Sequence, residues 1–372
     1  MDVAQRRFED GAWQGRALRE ADLVLVFAGV DALAGAVRAL RADHPHALVA
    51  GCSTAGDILG TQVSDGGAVA TAVRFRATRV QGARVLLEEG ESSAAAGSRL
   101  VGLLPRERLR HVVVLSDGLH VNGSLLVAGM SRALPAHVAV TGGLAGDGDR
   151  FGRTATAFGD EVRERQVVAV GLYGDALRVG FGSLGGWDPF GPQRRVTQAE
   201  GNVLHRLDGR PALALYKEYL GAAASGLPAA GLLFPLSVRL PGHDREVVRT
   251  ILGVDEATQT LTFAGDLPEG SLARLMKANF DRLVDGAQEA ARTSHEALGA
   301  EPPELALLIS CVGRRLVLRQ RVEEELEAVR ETLGPAAALT GFYSYGEICP
   351  AAPEADCELH NQTMTVTTFR EA

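Results

Sequence analysis

The chain has 372 residues, 46% of them hydrophobic and 23% charged, so it carries enough apolar material for more than one small domain and lies outside the disordered class. Its net charge of −8 argues against a nucleic-acid binder, which needs clustered Lys and Arg to neutralise phosphates. Four cysteines, at 52, 311, 349 and 357, form no CxxC pair, which speaks against a disulfide scaffold or a structural zinc site.

In chain order, the start (Met1 to Asp10) has acidic residues where a signal peptide has an apolar stretch. No run of about 18 apolar residues follows, so a soluble, cytoplasmic protein without a membrane role is expected. A unit then recurs three times. Each copy opens on an apolar run ending in glycine: Ala21 to Gly29, His111 to Gly118, and Leu305 to Gly313. These read as buried strands. A helical stretch follows, clearest in the third copy, where Leu318, Val322, Leu326, Val329 and Leu333 recur at helical spacing until Gly334-Pro335 stops the pattern.

A second strand then runs into a glycine loop: Ala47 to Asp57, Val138 to Asp147, and Ala338 to Glu347. A further strand follows at Ala68 to Phe75, Val167 to Tyr173 and Thr363 to Phe369. The expected fold class is α/β, with mixed, mostly parallel sheets built from repeated strand, helix, strand, glycine loop, strand units in two packed modules. Because ligands in open α/β sheets bind at strand ends, the three loops are expected to converge on one cavity, with Gly51, Gly142 and Gly341 at equivalent strand ends.

Between the second and third units, Gly185 to Pro192 reads as a turn-rich break, either a module boundary or a structured loop. Hairpins are expected over Arg195 to Leu207 and Val247 to Phe263, and a long helix after Gly270-Ser271 with Leu272, Met276, Phe280, Leu283, Ala287 and Ala291 on its apolar side.

The segments GCSTAGD (51–57), SDGLHVNGS (116–124), TGGLAGDG (141–148), GWDPFGP (186–192), LDGRPA (207–212), SCVGRR (310–315), TGFYSYGE (340–347) and LHNQTMTVTTF (359–369) together resemble FIST proteins. The resemblance runs from about residue 20 to the end and implies an N-terminal module over 20–210 and a C-terminal module over 211–372. It further implies a bacterial intracellular sensor that binds a small ligand, plausibly an amino acid, and acts on a signalling partner such as a histidine kinase. Some relatives are haem-containing nitric-oxide sensors, which makes a haem sensor the alternative reading.

Catalytic motifs are missed. Gly51 to Gly56 is one residue too long for a nucleophile elbow, Ser344 has Phe342 where its first glycine belongs, and Gly146 to Gly152 misses the dinucleotide fingerprint. No catalytic residue and no cofactor is assigned. Cys52 stands at a strand end, either as a small buried hydrophobe or as a thiolate activated by loop amides, and the latter leaves a cysteine-dependent enzyme as a second alternative.

The candidate ligand site gathers Cys52, Ser53 and Thr54 from the first loop, Gly142, Gly143 and Asp147 from the second, and Tyr343, Ser344, Tyr345 and Glu347 from the third, with Arg314 and Arg315. Arg314 and Arg315 suit a carboxylate, or they pair with Glu323 to Glu325. Asp147 and Glu347 suit an ammonium, or they cap turns. Tyr343 and Tyr345 are read as a ligand wall or as core. An amino-acid zwitterion satisfies both signs. For haem, the candidate ligands are His120 and His360, each otherwise a hydrogen-bonding group, and no CxxCH attachment site is present.

Overall fold

The computed structural model describes residues 1–9, 11–242, 246–299, 301–352 and 355–372. Its Val-, Leu- and Ala-rich runs become central strands. Leu23–Ala28, Leu109–Ser116 and Leu305–Cys311 each lie parallel to the strand reached through a helical crossover, Leu48–Ser53, Ala139–Leu144 and Ala338–Ser344 respectively. On the other side each pairs antiparallel with Ala68–Arg74, Gln166–Tyr173 or Met364–Glu371. Outside those lie Asp2–Glu9, Arg79–Leu86 and Leu177–Leu184, so three sheets share one strand order in a mixed α/β architecture.

The free edge of each second strand is closed by a hairpin from elsewhere in the chain. Leu48–Ser53 takes Thr156–Phe158, Ala139–Leu144 takes Gly346–Pro350, and Ala338–Ser344 takes Asp57–Leu59. Each hairpin follows a glycine loop, and the exchange is cyclic: first loop to third sheet, second loop to first sheet, third loop to second sheet. Strands before residue 187 and after residue 304 therefore share two of the three sheets.

The same constraint acts on one glycine of each second strand. A Cβ on Gly51 would lie 2.0 Å from the Val26 carbonyl oxygen, one on Gly142 1.9 Å from that of Val114, and one on Gly341 1.7 Å from that of Leu308. Only a residue without a side chain lets the parallel strands approach so closely.

These strands are covered on both faces, which is why they read as continuous apolar runs and not as alternation. One face of the first sheet, with Leu25 and Phe27, packs with Leu115 and Val170 of the second and Leu307 and Phe342 of the third, and the Phe27 and Phe342 rings stack 4.8 Å apart. The opposite face, with Val24 and Val26, packs on Leu33, Val37 and Leu40 of the helix Leu33–Asp43.

A fourth, antiparallel sheet is inserted between the second and third units, around its own core of Val196, Leu204, Tyr216, Leu261, Phe263 and Leu275. The turn-rich stretch at Gly185 to Pro192 feeds directly into it: Trp187–Glu200 is one long strand whose pairing with Leu272–Ala278 shifts register between Phe190 and Arg194. The long helix starts later than its apolar spacing suggested. Leu272–Ala278 is a strand held on both sides, and Phe280–Glu296 begins only after Asn279, whose side chain caps it.

Candidate functional site

The three glycine loops do meet, but they bond to one another. Ser53 Oγ donates to the Gly146 carbonyl at 2.9 Å, and the Gly146 amide donates to the Ser53 carbonyl at 2.9 Å. The Ala55 amide donates to the Tyr343 carbonyl and the Tyr343 amide to the Gly56 carbonyl, both at 2.8 Å, while the Tyr345 amide reaches the Leu144 carbonyl at 3.1 Å. The expected common cavity is thus occupied by a ring of backbone hydrogen bonds joining all three sheets. The packing is close: a Cβ on Gly146 would lie 2.8 Å from the Ala55 nitrogen.

Beside these bonds two buried carboxyls, Asp57 and Glu347, form no ion pair among the described residues. Thr54 Oγ1 donates to Asp57 Oδ1 at 2.6 Å, and Asp57 Oδ2 has no hydrogen-bond partner. Glu347 accepts from Ser344 Oγ at 2.6 Å and from Thr363 Oγ1 at 2.9 Å. Burial pushes the carboxyls of both Asp57 and Glu347 up to about 8, because a charge there would be stripped of water without a counter-ion. Asp147 differs: it is held by the Arg150 guanidinium and the Arg153 amide. Neither Asp147 nor Glu347 is left free for a ligand ammonium.

The arginines also depart from the zwitterion scheme. Arg314 is fully buried and spent internally, on Glu325 Oε2 at 2.7 Å and on the carbonyls of Leu283 at 2.7 Å and Gly185 at 3.0 Å. Arg315 remains 21% exposed; it forks onto Asp65, donates to the Ala55 carbonyl and lies 5.6 Å over the Tyr343 ring. Tyr343 is core, its hydroxyl donating to Glu325 Oε1 at 2.6 Å. Tyr345 is also buried, stacked 4.4 Å from Phe151, with its hydroxyl donating to the Gly148 carbonyl. The two tyrosines form no ligand wall. They pack against different elements because the loop turns between them.

Cys52 is buried among Leu25, Phe27 and Phe342, and burial pushes its thiol well above the ordinary range, the opposite of an activated nucleophile. Gly142 and Gly143 are strand residues paired with Ile348 and Glu347, and they offer no free amide row. Of the histidines, His360 Nε2 lies 2.9 Å from the Cys349 carbonyl oxygen, and His120 Nδ1 lies 3.1 Å from Asp117 Oδ1. His360 is thereby engaged through Nε2, and His120 sits on an Asx-type turn with its ring partly exposed.

One alternative of the sequence reading is borne out and one central residue escaped it. Glu325, from the Glu323 to Glu325 run weighed as a partner of the arginines, is fully buried and joins Arg314, Ser310 and Tyr343; what its sequence did not say is that it lies inside, beside Val322, Leu326 and Val329. Asp117 is buried and accepts from the amides of Leu119, His120 and Arg165, a role its SDG sequence permits but does not specify.

Among curated proteins, the chain is similar to uncharacterized proteins of Mycobacterium tuberculosis (28% identical over 272 residues, 69% of this chain and 67% of the relative) and Mycobacterium bovis (28% over 267 residues, with the same shares). Among solved structures, one of a cyanuric acid hydrolase from A. caulinodans aligns with 94% of this chain and 90% of that one, at 9% identity and a TM-score of 0.34. The FIST N domain matches residues 22–210 and the FIST C domain residues 212–350. On that coverage, with its motifs placed in the interlocked loops, the chain belongs to the FIST family.

Proposed function

We propose that this protein senses a small amino-acid-like molecule and passes the resulting displacement to a partner signalling protein, a histidine kinase being the class of partner. FIST domains are small-ligand-sensing domains of signal transduction. The observation that carries the mechanism is the short helix Val312–Leu318. Through Arg315 it holds the first loop at the Ala55 carbonyl and covers Tyr343 of the third. Through Arg314 it holds Glu325 and the carbonyls of Leu283 and Gly185.

A ligand that shifts this helix therefore acts on the ring through which the three sheets are joined. Such a device changes shape only if the ligand binds one arrangement better than the other. The net charge of −8 favours a protein partner over nucleic acid. No helix among the described residues is long and apolar enough to cross a membrane.

A thermal-shift screen of the twenty amino acids and their 2-oxo acids tests the reading. Binding to the native state alone raises Tm in a concentration-dependent way, so at least one member raises it. A flat response across the whole panel at millimolar concentrations overturns it.

A further inference from the structure

We infer that the ligand seat is the groove between the inserted sheet and the third unit, and that it takes a small monocarboxylate with an apolar body. The inference rests on the sensor reading and narrows its ligand to the carboxylate side of the amino-acid-like class, the 2-oxo acids before the amino acids themselves, because the groove lining offers no acid for an ammonium. The groove has a volume of about 610 Å³, within the range of small-molecule sites. Its apolar lining includes Phe234, Phe280, Leu316 and Val317, from three separate elements, and Lys277, Arg319 and Arg321 stand around it without a lining acid.

The three cations are not equivalent. Arg321 is already neutralised, bonding Glu324 at 2.7 Å and Asp281 at 3.0 Å while lying over the Phe280 ring. The side chains of Lys277 and Arg319, both exposed, make neither a hydrogen bond nor an ion pair among the described residues. The acid that feels Lys277 electrostatically, Asp188, is itself held by Asn279 and Arg282. Two uncompensated cations beside an apolar floor complement an anion whose remaining surface is apolar, and a planar carboxylate matches the guanidinium fork.

The backbone of Arg319 points the same way. It ends the helix Val312–Leu318 at φ 51° and ψ −113°. The helix Ala212–Leu220 ends in the same turn, at φ 55° and ψ −124°, and there the residue is Gly221. That region is nearly closed to residues with a Cβ, so at Arg319 a guanidinium stands where folding alone favours glycine. Strain of this kind collects at ligand clamps. The position also suits transmission, since Leu316 and Val317 form the last turn of the helix that carries Arg314 and Arg315.

The test is calorimetric titration of the full chain with 4-phenylbutyrate, with 4-phenylbutylamine and inorganic phosphate as controls, on the wild type and on Arg319→Gly and Lys277→Ala. The carboxylate is expected to bind while neither control does, with affinity at least tenfold weaker in each variant. Arg319→Gly should at the same time raise Tm, a combination that a purely structural arginine would not give. Equal binding to wild type and both variants overturns the seat and leaves the sensor reading standing. If an amino acid from the thermal-shift panel binds but 4-phenylbutyrate does not, or if the amine binds as well as the acid, the assigned chemistry is overturned while the sensor reading again stands. If neither the panel nor the probe binds, both fall.

Discussion

The Thr54 hydroxyl meets the Asp57 carboxyl at 2.6 Å, and the same contact recurs at 2.6 Å between Ser344 and Glu347, each pair three residues apart at the turn out of a glycine loop. In the second loop the hydroxyl position is Leu144, and Asp147 takes Arg150 in its place. Two loops thus hold a buried carboxyl with a neutral donor, and one holds a carboxylate with a cation. The difference decides protonation: with no counter-ion, Asp57 and Glu347 keep a proton near neutral pH.

Stability should therefore fall as pH rises toward 8. Between the ordinary carboxyl range and about 8 the native chain binds protons at Asp57 and Glu347 that the unfolded chain does not. The contribution is complete below the unfolded values and is lost as pH rises through the folded ones. His111, pushed down to about 3 by burial, works in the opposite direction, but only below about 6.5. The clean window is pH 6.5 to 8, where each carboxyl contributes a decline of about 2 kcal/mol. Urea titrations across that window should show a flatter slope for Asp57→Asn and Glu347→Gln than for the wild type; an unchanged slope refutes the protonated state.

Arg314→Ala should destabilise by roughly 3–5 kcal/mol, since it strands Glu325 in the interior together with the carbonyls of Leu283 and Gly185. Combining Arg314→Met with Glu325→Leu should cost less than the two single changes added together, because neither charge is then left alone. Strict additivity in chemical denaturation would show that the pair is not coupled.

Gly51→Ala, Gly142→Ala and Gly341→Ala should each lower Tm severely or prevent folding, because the new methyl would meet a parallel-strand carbonyl at 2.0 Å or less. Gly35 provides the control. It lies in the helix Leu33–Asp43 with nothing within 4 Å of its would-be Cβ, so Gly35→Ala should stabilise by about 0.5–1 kcal/mol. Differential scanning calorimetry of the four variants decides the matter.

Three of the native thiols should be inert. Burial pushes Cys52, Cys311 and Cys349 upward, so iodoacetamide at pH 7.5 should label none of these three within minutes and all three in guanidinium, while the half-buried Cys357 is the thiol open to native labelling. Rapid native labelling of Cys52 would reopen a cysteine-based chemistry.

The mixed α/β class, the central strands and the family were legible in the sequence, but the expected mostly parallel pairing was not what formed. Each of the three related sheets has one parallel pair, across its helical crossover, and its other pairings are antiparallel because the covering strands arrive by hairpins and long connections. Strands buried on both faces show as unbroken apolar runs, such as Leu23 to Ala28, and glycine loops such as GCSTAGD and TGFYSYGE are distinctive as strings. The sequence also marked Gly51, Gly142 and Gly341, although the reason, a carbonyl pressed against each, is visible only in space. Tertiary structure decided which segment covers which. Periodicity reports that a face is buried and says nothing of what buries it, so the hairpin at Asp57–Leu59 could not be assigned to the strand Ala338–Ser344, nor the loops to one another. The Glu323 to Glu325 run was a visible partner for the arginines, but the split between them was hidden for the same reason. Arg314 and Arg315 are adjacent in sequence, yet helical geometry turns one inward to Glu325 and the other outward to Asp65, 250 residues away. Lys277 and Arg319 share a groove only because the inserted sheet packs against the third unit.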